Sequence, residues 1–305
     1  MKVIIFFILF LNYFYANSLF EPLPKNIQYD EKKVNLGREL FYDPILSKNR
    51  DISCFSCHYI YGADNKQFSI GSDNKIGNMN SPSVFNLTYK IGYFWNGRAE
   101  ELEDQILGPM FAPHEMAADK ETILKRLNNS DKYLKLFKQA YKSVPSFDAV
   151  IDAIYEFEET LLSVDSKFDK YLRKELKLSN DEQKGFDLFV SYGCVSCHNG
   201  INIGGNSYQK FGSVIEKNGD DSNWNDRYDV TKKESDKMVF IVPSLRNVEK
   251  TAPYFHDGSV DNLKDAIVLM GYFNIGIKLK DDEVSSIESF LNTLTGNIPK
   301  TFIKE

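Results

Sequence analysis

Cysteine and histidine are scarce in this chain, four of each in 305 residues, and tryptophan occurs only twice. No cysteine is left over for a disulfide scaffold, because all four sit in two short motifs. A basic surplus is also missing. The formal net charge is −6 and no stripe of Lys and Arg runs along the chain, which excludes nucleic acid as a partner. Long apolar runs are limited to Val3–Tyr15, shorter than the roughly 20 residues that a spanning helix needs. Lys2 precedes that run and Ala16-Asn17-Ser18 supplies small residues before Leu19, so residues 1–18 read as a signal peptide cleaved on export. An uncleaved anchor is the alternative. A lipid anchor is excluded by the lack of Cys at the cut. The remaining chain is long enough for two domains of ordinary size, each with its own core.

The cysteines that are present form Cys54-Phe55-Ser56-Cys57-His58 and Cys194-Val195-Ser196-Cys197-His198. Cys-x-x-Cys-His is the attachment signature of c-type haem: each thiol adds across a vinyl group, and the adjacent His reaches the iron. A thioredoxin-like redox pair or half a zinc site also uses Cys-x-x-Cys, but neither needs the His that follows both copies. The chain is thus expected to carry two covalently bound haem c groups. Export agrees, since c-type haem is attached outside the cytoplasm.

Both motifs follow a helical segment, Gly37-Arg38-Glu39-Leu40-Phe41 in one half and Gly185-Phe186-Asp187-Leu188-Phe189 in the other. Further on, Pro82–Leu87 matches Pro243–Val248, Tyr93–Gly97 matches Tyr254–Gly258, and Leu102–Asp104 matches Leu263–Asp265, all at an offset of 161. One register throughout identifies a duplication. The expected fold is all-α, with two tandem c-type cytochrome domains, one haem each, and long loops. The divisions are 1–18 signal peptide, 19–165 and 166–305. Helices are expected over Asp30–Phe41, Asp119–Asn128, Phe147–Val164 and Asp281–Leu294, and Ser179 with Glu182 forms a capping box. Asn199–Lys237, rich in Gly, Asn and Asp, reads as a surface loop with little core.

The register also predicts that the two irons differ. Met270 closes a short helix in the second half, where a cytochrome c supplies its thioether ligand; a core Met is the alternative. The first half has Pro109 at the matching position, with Met110 one residue away as a weaker candidate. Nearby stand His114 and Glu115. A carboxylate beside an open iron can move a proton between peroxide oxygens, although a solvated acid at a loop end is the plainer reading.

With these residues in view, the chain resembles the bacterial dihaem cytochrome c peroxidase family over nearly all of its length after residue 18. Beyond the haem motifs, the resemblance rests on Phe94-Trp95-Asn96-Gly97-Arg98-Ala99-Glu100, Gly108-Pro109 with Glu115-Met116, Leu245-Arg246-Asn247-Val248, Thr251-Ala252-Pro253-Tyr254-Phe255-His256 and Met270-Gly271. It implies a periplasmic enzyme that reduces hydrogen peroxide to water with electrons from a small periplasmic cytochrome c or copper protein. It implies that the His198/Met270 haem takes in electrons and that the His58 haem is peroxidatic. Glu115 then matches the acid–base residue, Gln105 its neighbour, and Trp95 the aromatic residue between the haems, a role compatible with core packing. A calcium ion is implied on Asn80 and the carbonyls of Thr251 and Pro253, the hard oxygen donors that ion prefers, and pairing as a homodimer is common in the family.

One departure stands out. Members needing reductive activation carry a distal His where this chain reads Ile70-Gly71-Ser72. The expectation is a peroxidatic haem open or weakly capped when oxidised, on a mobile loop. Lys75, Met79 and His114 are the rival caps. A related class oxidises a protein at long range and uses Tyr at the position of Met270; Tyr272 is nearby. A dihaem carrier without catalysis is the third reading, and it requires two closed irons.

Overall fold

The computed structural model describes residues 19–216 and 225–304, so the signal-peptide reading falls outside the described residues. The protein is mainly helical. Helix α1 (Glu31–Tyr42) starts where the Asp30 carboxylate accepts the amides of Lys32 and Lys33, and it buries Val34, Leu36, Leu40 and Phe41. Helices α2 (Leu102–Phe111), α3 (Lys120–Asn128, capped by Asp119), α4 (Asp131–Tyr141, capped by Ser130) and α5 (Phe147–Glu159, capped by Ser146) complete the first core. Helices α6 (Asn180–Ser191, with the Ser179/Glu182 capping box), α7 (Leu263–Met270) and α8 (Asp281–Asn292) build the second. Among the described residues no helix is long and apolar enough to cross a membrane.

The duplication is visible in the backbone. Tyr93 bridges Ala99 as Tyr254 bridges Val260, and Asn86 and Asn247 both adopt the left-handed conformation, all at the offset of 161. In each half the helix before the haem motif crosses a partner at a glycine. A Cβ on Gly37 would strike the carbonyl of Ala153 in α5, and one on Gly185 would strike that of Ser286 in α8. Close crossing aims Phe41 at His58 and Phe189 at His198, with ring centroids 6.5 Å apart in both pairs.

Two expectations need correction. The helix from Phe147 ends at Glu159 instead of Val164. Beyond it, backbone groups are used by distant partners: the carbonyl of Leu161 accepts from Asn86 N, Ser163 N donates to Asn86 Oδ1, and the carbonyl of Val164 accepts from Asn297 N. The Asn199–Lys237 stretch is more than surface loop. Its β1 (Tyr208–Lys210) pairs antiparallel with β2 (Val239–Ile241), and Phe211 joins Met238 and Phe240 in a third apolar cluster that reaches Met79, Trp95 and Met270. The chain ends cross over: Phe20 packs in the second core and Phe302 in the first.

Candidate functional site

Each core opens on a cavity, about 200 Å³ in the first half and about 290 Å³ in the second. Cys54, Cys57 and His58 line the first. Their segment is one helical turn, held by Ser53 N donating to Ser56 Oγ at 3.0 Å. His58 Nδ1 lies 2.8 Å from the carbonyl of Gly62, which sets it as the protonated nitrogen and leaves Nε2 bare. Burial lowers the pKa of His58, so the imidazole is neutral and fit to bind a metal. Cys194, Cys197 and His198 line the second cavity, and burial there pulls His198 down to about 4 against the carbonyls of Pro243 and Ile203.

Burial pushes the thiols of Cys57 and Cys194 up to about 11 and that of Cys54 higher still, the reverse of a reactive redox pair. Among the described residues no three His, Cys, Asp or Glu side chains gather as a metal cage. Two thiols and a bare imidazole nitrogen facing an apolar cavity, twice over, fit covalent haem c.

The cavities differ on their far sides. Met270, the last residue of α7, lines the second. In the first, α2 begins at the matching position, Leu102, but carries Pro109 where α7 carries Met270. Gln105, Pro109, Met110, His114 and Glu115 all line the first cavity. Glu115 stands on the turn after α2, its Oε1 3.7 Å from His114 Nε2. Burial raises its pKa, opposed by His114 and Arg98, whose guanidinium lies 3.3 Å over the ring of Phe94.

Ser72 does not line this cavity. It is fully buried, its hydroxyl shares its one proton between Asp51 Oδ1 at 3.1 Å and the carbonyl of Met116 at 3.2 Å, and its N–H donates to the carbonyl of Glu115 at 2.7 Å. Gly71 leaves no room for a Cβ against the backbone of His114 and Glu115. Ile70 bridges Ile76 and closes the segment into a turn. Of the rival caps, Met79 and His114 line the cavity and Lys75 does not.

Trp95 lines both cavities, and its Nε1 donates to the carbonyl of Asn80 at 2.8 Å. Asn80, Thr251 and Pro253 share the second cavity, and Asn80 N donates to the carbonyl of His256 at 2.9 Å. Sequence reasoning passed over two residues. Glu158 is buried on the first cavity with Oε2 unpaired, and burial lifts its pKa to about 8. Its spacing from Val150 and Ile154 on the apolar face of α5 was the available signal. Lys90 lines both cavities, and no local pattern marks it.

The di-haem cytochrome c peroxidase family model matches residues 31–177. The cytochrome c551 peroxidase of Nitrosomonas europaea is 42% identical over 288 residues, spanning 93% of this chain and 86% of the relative. That of Pseudomonas aeruginosa is 39% identical over 299 residues, with the same two shares. Among solved structures, a MauG-like protein associated with microbial copper homeostasis superposes with a TM-score of 0.80 at 29% identity, covering 93% of this chain and 95% of that one.

Proposed function

The chain belongs to the di-haem cytochrome c peroxidase family and is an enzyme of that class, an oxidoreductase acting on peroxide; on that premise we propose that it reduces hydrogen peroxide to water with electrons from a small cytochrome c or copper protein. The observation that carries the division of labour is the asymmetry of the cavities: Met270 stands on one, and Glu115 with Gln105 on the other. Haem c, when bound, supplies the redox-active iron at each site.

His198 and Met270 would hold the electron-entry iron, where a soft thioether would raise its potential. His58 would hold the peroxidatic iron. Gln105 orients peroxide through its amide, and Glu115 takes the proton from one peroxide oxygen and returns it to the other, which leaves as water. Two electrons and two protons from outside complete two water molecules. Burial favours this role, because a carboxylate whose pKa is raised above its ordinary value holds a proton more firmly and is the better acceptor. Trp95, on both walls, is the bridge between the sites.

The peroxidatic site is ready in the oxidised protein. The engagement of Ser72 with Asp51 and Met116 supports this, since it holds the Ser72 side chain off the cavity. Calcium on Asn80 and the carbonyls of Thr251 and Pro253 would tie the second half to the wall that carries Trp95. The internal repeat favours two cytochrome c domains meeting near Asp165 and Ser166, with exchanged ends. Periplasmic location and pairing as a homodimer complete the reading that the family resemblance suggests.

The test mixes fully oxidised, calcium-loaded protein with peroxide in stopped flow, then repeats this after one-electron reduction, with turnover on a reduced small cytochrome c. Rapid reaction of the oxidised form is expected. Reaction only after reduction would assign a cap to Met79 or His114. Silence in both states would sink the peroxidase reading in favour of an electron carrier.

A further inference from the structure

The two cavities share a wall that includes Asn80, Trp95, Ile241 and Pro243. Among the described residues Lys90 is the only charged side chain that lines both. Its backbone is anchored by donation to the carbonyl of Leu87 at 3.0 Å, and its stem packs over Gly205, where an added Cβ would stand 3.3 Å from Lys90 Cγ. Among the described residues no carboxylate, carbonyl or hydroxyl lies within hydrogen-bonding reach of its ammonium. Burial alone drives its pKa down to about 8. Lys90 is half-buried, and a cation held on a wall of low dielectric without a partner is costly unless a countercharge reaches it.

The rest of the charge inventory sharpens this. Arg98 covers Phe94 beside Glu115, away from the shared wall. Arg246, on the second cavity, is already committed to Asp169, with Nη2 to Oδ1 at 2.9 Å and both side chains fully buried. Glu158 contributes no countercharge to Lys90, since the pKa of Lys90 is moved by burial and by no acid. The groups fitting the cavities bring the missing anions. Haem c spends its vinyl groups on the cysteines and keeps two carboxylates on its other edge.

We propose that Lys90 is a shared counter-cation for the haem carboxylates on the wall between the two sites. It is a positioning residue: it holds the facing haem edges and, as a positive charge in a region of low dielectric, favours the reduced state of both irons at once. This rests on the reading that each cavity holds one haem.

The experiment is spectroelectrochemical titration of the holoprotein with Lys90→Met, Lys90→Gln and Lys90→Arg, after haem content per chain is measured. Loss of the charge in Lys90→Met should lower both midpoint potentials, and Lys90→Arg should restore both. If Lys90→Met fails to load haem, Lys90→Gln carries the same comparison. A shift confined to one haem, or none with both haems present, overturns the proposal. Fewer than two haems per unmodified chain would instead overturn the haem reading beneath it.

Discussion

Asn86 and Asn247, which occupy the same place in the two repeats, donate their side-chain amides to one hydroxyl, Ser163 Oγ, at 2.9 and 2.8 Å. All three residues are buried. Asn86 Oδ1 accepts from Ser163 N, so Asn86 grips the connecting segment with both ends of its amide, while Asn247 Oδ1 accepts from Gly296 N and ties that segment to the chain beyond α8. The two cavities are thereby registered against each other through a single serine.

Ser163→Ala removes the shared acceptor and strands two buried N–H groups. At roughly 1–3 kcal/mol for each unsatisfied donor, the holoprotein should lose about 2–6 kcal/mol. Urea unfolding checks this. A midpoint unchanged from the parent would mean that the halves do not depend on the serine.

Glu158 gives a pH signature. Its folded-state pKa of about 8 lies above the ordinary carboxylate value, so between those limits the folded protein keeps a proton that the unfolded chain has released. Stability therefore falls as pH rises through that window, by up to ~1.4 kcal/mol per pH unit. In Glu158→Gln that slope should flatten, as urea midpoints at several pH values would reveal.

Glu115→Gln keeps size and hydrogen bonding but cannot take a proton. Peroxide turnover should drop by about 10²–10⁴ while haem content stays the same. In the parent, kcat/KM should fall as pH drops through the raised pKa of Glu115, because the protonated acid no longer accepts. The acid limb should vanish in the variant; a retained limb would assign it to another group.

Met270→His exchanges a soft thioether for a harder nitrogen on the second iron. That haem should lose its thioether charge-transfer band, and its potential should fall by on the order of a few tenths of a volt. The first haem should keep its own potential. If the first haem shifted and the second did not, the assigned roles would be reversed.

What could be read early was local. The Cys-x-x-Cys-His pairs and the caps at Asp119, Ser146 and Ser179 each act within a turn or two of chain. The register of 161 also carried far, because similar local sequences fold into matching bridges at Tyr93 and Tyr254. It foretold the contrast between Met270 and Pro109. The end of α5 was missed because Leu161–Val164 is helical by pattern, and only Asn86, Ser163 and Asn297 together draw its backbone away.

The amino-acid sequence by itself determined that the chain presents two haem-binding motifs on repeated helical frames, and that the position of Met270 is a Pro in the other repeat. Those properties live in covalent spacing and helical period. Tertiary structure alone decided that Ser72 turns from the first cavity, that Phe211 becomes core in a polar insert, that Phe20 and Phe302 trade halves, and that Lys90 reaches both cavities. Each depends on surfaces far apart in the chain meeting at close-packed density, where the burial of a charge or the pairing of a hydroxyl is settled by neighbours that no short window contains.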